Sequence, residues 1–145
     1  MADDLVADEE LLNRSVRREW VVLRDEKWKL SSQAFNDVSW KPSVDRATLR
    51  SAEASKHSPT DGVCCIQAAE VRSISTIEHQ TNKTPYKVDV MARPVPQDNP
   101  GGLPENPAHA QVEVAPEFEN KSRFNKLKDS LCRLARERGW VIEPS

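Results

Sequence analysis

His109 closes a proline-stiffened run, Leu103-Pro104-Glu105-Asn106-Pro107-Ala108-His109-Ala110, after which polar and apolar residues alternate through Val114. If this stretch is a strand, His109, Gln111 and Glu113 share one of its sides. A neutral imidazole beside a carboxylate is one way to build a general base. The competing role is local: His109 hydrogen-bonds a loop carbonyl and fixes the proline turn. That role carries more weight, because the sequence sets no nucleophile beside it. Asn106, His109 and Glu113 are the polar positions from this region that could contact a ligand.

Two shorter segments offer partners for His109. In Ser31-Ser32-Gln33-Ala34-Phe35, the adjacent serines could meet an anion or a nucleotide, and Ser31 or Ser32 could serve a catalytic cleft, with Ser32 the candidate. Serines after a strand more often cap a turn through bonds to nearby backbone. In Ser43-Val44-Asp45-Arg46, Asp45 could line a cleft shared with His109. Here the competing reading makes Ser43 the N-cap of a short helix running through Val44, Ala47, Leu49 and Ala52.

The remaining reactive groups point to no particular chemistry. Cys64 and Cys65 are adjacent and Cys132 is distant, so the three form neither a disulfide framework nor a CxxC metal pair. In a strand, Cys64 and Cys65 face opposite sides, and a buried thiol behaves as a small hydrophobe. With four glycines in the whole chain, no Gly-rich phosphate loop can form. No cofactor and no metal is expected.

These residues need a scaffold, and the composition bounds it. At 145 residues, the chain is the size of one domain. The apolar share of 37% is low enough that some of the chain must lie outside the core. The formal net charge is only -2, but it is unevenly spread. The first ten residues hold five acids and no base, whereas 121–138 holds seven basic and two acidic side chains. No apolar run reaches the roughly 20 residues needed to cross a membrane, and the acidic start lacks the pattern of a secretory signal. A cytoplasmic location is expected, with the cysteines as thiols.

Periodicity supplies the elements. Residues 1–13 are expected to be an acidic, poorly ordered start, followed by a single domain over 14–145. The cluster at 19–24 reads as a strand, and Arg24 to Lys27 as a turn before Trp28 and Leu30. Strands are also expected at 63–66 and 86–90, along the alternating stretch from His109, and at 140–142. Val71, Ile74 and Ile77 suggest a helix over 68–77. Six of the ten prolines lie between Pro94 and Pro116, so the crossing at 92–108 is a loop. Phe124, Leu127, Leu131 and Leu134 make a helical stripe over 121–138, with Gly139 as its C-cap. The expected fold is α+β, a small, mostly antiparallel sheet with two or three helices packed on one face.

With those elements placed, the chain resembles an uncharacterised family of small bacterial proteins. The likeness rests on the Trp20 strand, the S-S-x-A-F element at Ser31–Phe35, S-V-D at Ser43–Asp45, and L-P-E-N-P-A-H-A at Leu103–Ala110. It covers roughly residues 20–114. The resemblance implies that Ser32, Asp45 and His109 belong to one site, and it implies no activity.

Three functions remain in competition. The leading expectation is a small binding or adaptor protein that acts with a protein partner in a bacterial multi-gene system of the defence or toxin–antitoxin type. The second is a small enzyme with a Ser/Asp/His cleft acting on a nucleotide-type substrate. The third is nucleic-acid contact through the basic C-terminal helix, with Lys126, Arg133 and Arg136 as contacts.

Overall fold

The structure, a computed structural model, describes residues 5–145. Among the described residues eight strands form: β1 (Leu11–Val16), β2 (Val21–Arg24), β3 (Lys27–Leu30), β4 (Ser43–Arg46), β5 (Gly62–Gln67), β6 (Lys87–Ala92), β7 (His109–Ala115) and β8 (Trp140–Ile142). Three helices accompany them: α1 (Ala52–Ser55), α2 (Ala68–Arg72) and α3 (Lys121–Arg138). Six strands make one sheet in the order β6-β7-β4-β1-β5-β8, and every pairing in it is antiparallel. β2 and β3 form a separate hairpin whose turn residues Asp25 and Glu26 have φ of 52° and 63°. Such a left-handed pair is what a tight two-residue hairpin requires.

The fold is α+β, as its alternating and helical periods predict. α3 lays Phe124, Leu127, Leu131 and Ala135 along one stripe, all buried. Leu12, Val44, Cys64, Ile66, Val88, Val90, Ala110 and Val112 point from alternate strand positions into the same core. Each fully buried Leu or Ile contributes roughly 1.5–3 kcal/mol from this burial. Asn120 caps the start of α3 by accepting from the Arg123 amide, and Gly139 ends it at φ 79°. The sheet is strongly curled. In a flat sheet β5 and β6 would lie about 19 Å apart, yet Arg72 of α2, just after β5, reaches β6. Its Nε donates to Asp89 at 2.7 Å and its Nη2 to the Val90 carbonyl at 3.3 Å.

Several elements differ from their sequence patterns. Part of the expected disordered start is in fact the middle of the sheet: Leu11–Asn13 belong to β1, which pairs with β4 on one side and β5 on the other. Met1–Asp4, the tip of that expected start, lie outside the described residues. The helix expected from Ser43 is strand β4, because pairing with β1 and β7 on its two edges satisfies its backbone. Helix survives there only as one turn, α1, capped by Ser51. The helix expected over 68–77 stops at Arg72, where Ser73 turns its hydroxyl back to the Ala69 carbonyl. The 19–24 strand begins two residues later, after a 3-10 turn at Arg18–Trp20.

Candidate functional site

Alternation that sends apolar side chains inward sends a polar set outward. One straight row crosses four strands through His109 (β7), Asp45 (β4), Asn13 (β1) and Cys65 (β5), each paired with the next. Ser43 and Ser15 lie two residues from Asp45 and Asn13 and so share that face. α1 and the chain after it rise beside this row, and the proline-rich crossing rises opposite. Together they enclose a cleft of about 370 Å³. That lies within the range of small-molecule sites, roughly 300–1,000 Å³.

The proline-rich crossing is held rigidly against β4. Val95 and Asn106 bridge its base, and Asn99 ties its tip through bonds to Pro96 and Leu103. Asn106 Nδ2 then donates to Asp45 Oδ1 at 2.8 Å, while Asn106 Oδ1 accepts from the Ala108 amide. Arg50 Nη1 approaches the other Asp45 oxygen at 3.4 Å. Asp45 is therefore a strut between wall and floor.

His109 is fixed at both ring nitrogens. Nδ1 lies 2.7 Å from the Arg93 main-chain carbonyl, and Nε2 lies 3.1 Å from Ser43 Oγ. A carbonyl only accepts, so the neutral ring carries its proton on Nδ1 and Nε2 accepts from the serine. The result is a hydroxyl–imidazole pair with the imidazole oriented by a third group, the arrangement that activates a nucleophile.

Arg14 is the second unusual group. β1 and β4 pair only at Leu12–Arg46 and Asn13–Asp45. Beyond that the Arg14 guanidinium bridges the parted chain, donating from Nε to Ala34 O (2.9 Å), from Nη1 to Ser43 O (2.8 Å) and from Nη2 to Asn36 O (2.8 Å). Burial pushes its pKa down, but a guanidinium stays protonated. No carboxylate forms an ion pair with it among the described residues. The Trp20 ring centroid lies 6.0 Å from Arg14 and 5.1 Å from Arg17, and all three residues line the cleft.

Asn13 completes the floor. It is only 5% exposed, it lines the cleft, and its amide bonds to no other described residue. No fully enclosed polar side-chain atom is left unpaired among the described residues, so this amide reaches the cleft itself.

The remaining sequence candidates lie elsewhere. Ser32 opens a 3-10 turn, Ser32–Phe35, whose Ala34 and Phe35 are buried, and it does not line the cleft. Ser31 Oγ donates to the Trp20 carbonyl at 2.6 Å, a local turn contact. Glu113 shares the polar face with His109 but holds Arg93 through two hydrogen bonds, at 2.9 and 3.1 Å. Cys64 faces the core, where burial pushes its thiol up to about 12. Burial also raises Cys65 and Cys132, so all three are poor nucleophiles.

The basic helix is largely committed to the protein. Lys128 is buried over the Phe124 ring. Arg136 donates to the Leu30 carbonyl, Arg138 pairs with Glu70 and Arg123 donates to the Glu78 carbonyl. Lys126 and Arg133 are exposed.

Sequence reading missed Asn13, Arg14 and Ser43. The signal for the first two was the alternation in Leu12-Asn13-Arg14-Ser15-Val16, hidden by a charge at an inward position. Ser43 had no local signal, because its partner lies 66 residues away. No protein-family model matches this chain, and no curated protein or solved structure does.

Proposed function

We propose that the polar-face cleft binds a small anionic ligand of nucleotide type. The observation that carries this reading is the Asn13 amide, 5% exposed and unpartnered among the described residues at the cleft floor. An amide that opens on a cleft without a protein partner leaves both its donor and its acceptor for a ligand. The charge balance gives the sign of the ligand. Both carboxylates of the lining are engaged, Asp45 by Asn106 and Arg50, and Asp37 by the Ser39 amide and hydroxyl. Among the described residues Arg17 engages only the Trp20 ring, and Arg14 keeps two of its five N–H groups after its three carbonyl bonds. Trp20 offers a flat face on which a base can stack.

Thermal unfolding with a panel of nucleoside mono- and diphosphates tests this reading. A binding nucleotide at 100 times its Kd stabilises the fold by about 2.7 kcal/mol. The free nucleoside and inorganic phosphate should each give less, and Arg17→Ala should reduce the shift. No shift from any member at millimolar concentration would contradict the reading.

A second reading, the adaptor with a protein partner, is favoured by a different surface. A groove of about 590 Å³ runs between the hairpin and the end of α3, lined by Val22, Trp28 and Trp140. Leu23, on the same hairpin, is 56% exposed. Exposed apolar surface of this kind marks contact sites. Loss of a co-purifying protein on Trp28→Ala, with cleft binding unchanged, would separate the two readings. Nucleic-acid contact has less support, since four of the seven basic side chains of α3 are held within the protein.

A further inference from the structure

We propose that Ser43 is an acyl-accepting nucleophile and His109 its general base, so that the cleft hydrolyses a carboxylic ester carried by an anionic ligand. The proposal rests on the cleft being a ligand site. It adds a reaction, which binding alone does not require. Three features carry it. The Ser43 hydroxyl lies 3.1 Å from Nε2, within reach for proton transfer. The Arg93 carbonyl, 2.7 Å from Nδ1, holds the tautomer in which Nε2 is the base, the duty that a carboxylate performs in a catalytic triad. The Arg14 guanidinium is anchored to the Ser43 carbonyl at 2.8 Å, so a fixed positive charge stands beside the reacting residue. Arg14 also lines the cleft, where a fixed positive charge favours the negative charge that develops in acyl transfer.

The step balances without an outside oxidant or reductant. Ser43 Oγ forms a bond to the ester carbonyl carbon as its proton passes to Nε2. The tetrahedral intermediate collapses, the C–O bond to the alcohol breaks, and the imidazolium proton goes to the departing alkoxide. Water then attacks the acyl-serine while giving a proton to Nε2. That proton returns to Ser43 Oγ as the acid leaves, so the sum is ester plus water giving acid plus alcohol. Asp45 takes no proton here. Bound by Asn106 and Arg50, it is a positioning residue that keeps the loop against β4.

A fluorophosphonate probe tests this on the intact chain, because it marks activated serines covalently and needs no natural substrate. The expected result is one adduct per chain, mapped by mass spectrometry to Ser43. It should be absent in Ser43→Ala and slowed at least about 100-fold in His109→Gln. Ser32→Ala should label like the wild type. A merely structural Ser43–His109 hydrogen bond would give no adduct. Wild-type protein that stays unlabelled at millimolar probe overturns the proposal, whatever the variants do. So does an adduct on another serine, or a folded His109→Gln that labels at the wild-type rate. A nucleotide-induced thermal shift without labelling would sink the reaction alone, whereas absence of both would sink the ligand site as well.

Discussion

The two faces of the six-stranded sheet are built from the same strands by the same alternation, yet they are finished in opposite ways. The core face carries Leu12, Val44, Cys64, Ile66, Ala110 and Val112 in one buried cluster with α3. The other face carries Asn13, Ser15, Ser43, Asp45 and His109 around a cleft. A face turned simply to water would be rich in long charged side chains and would not bury an asparagine. A second core face would be apolar. This one is walled in and still polar, the combination expected where the fold gives up stability for a site.

Predictions follow from that contrast. The largest effect should come from opening the core face. Leu131→Ala leaves a cavity under α3 and should cost about 4 kcal/mol in denaturant unfolding; a loss under 1 kcal/mol would mean the helix does not set the core. Next is the Glu10–Arg46 pair, with Arg46 Nε 2.8 Å from Glu10 Oε1 and both side chains under a tenth exposed. Glu10→Ala should cost about 3 kcal/mol, because it removes the carboxylate of a buried ion pair. The Arg46 hydrogen bond holds the Glu10 carboxyl below its usual range. Its contribution is therefore complete above the unfolded carboxylate value, about 4.3, and is lost as pH falls through the lower folded value. Urea midpoints measured between neutral pH and pH 3 should show a shallower acid decline in Glu10→Gln.

The adjacent cysteines sharpen the contrast within one strand. Cys64→Ser places a hydroxyl in the apolar core and should cost about 2 kcal/mol. Cys65→Ser places it on the polar row beside Asn13 and should cost less than about 1 kcal/mol. Equal losses would erase the distinction between the faces. Native protein should leave Cys64 unalkylated by iodoacetamide, since burial raises that thiol to about 12.

The sequence made half of this comparison readable. α3 with its Gly139 cap was legible because its apolar stripe is long and local. The strand from His109 and the loop before it were equally clear from alternation and prolines. β1 was not, because Arg14 occupies an inward position and its three carbonyl partners lie at least 20 residues away. β4 was misread because Ser43-Val44-Asp45-Arg46 is too short to show a period, and pairing with β1 and β7 decides its state. The site was legible in the same uneven way. Asp45, Asn106 and His109 meet in the cleft. Ser43 replaces Ser32 as the hydroxyl beside the imidazole, since only sheet register shows which serine lies there.

The smallest stability effect tests the central claim most directly. Asn13→Leu removes an amide that opens on the cleft without a partner among the described residues and keeps the branched shape of the side chain. If the polar face holds Asn13 for a ligand, urea unfolding of this variant at neutral pH should show stability unchanged to within about 1 kcal/mol, with an unchanged m-value. A loss of more than about 1 kcal/mol would show that the amide serves the fold, and it would contradict the account.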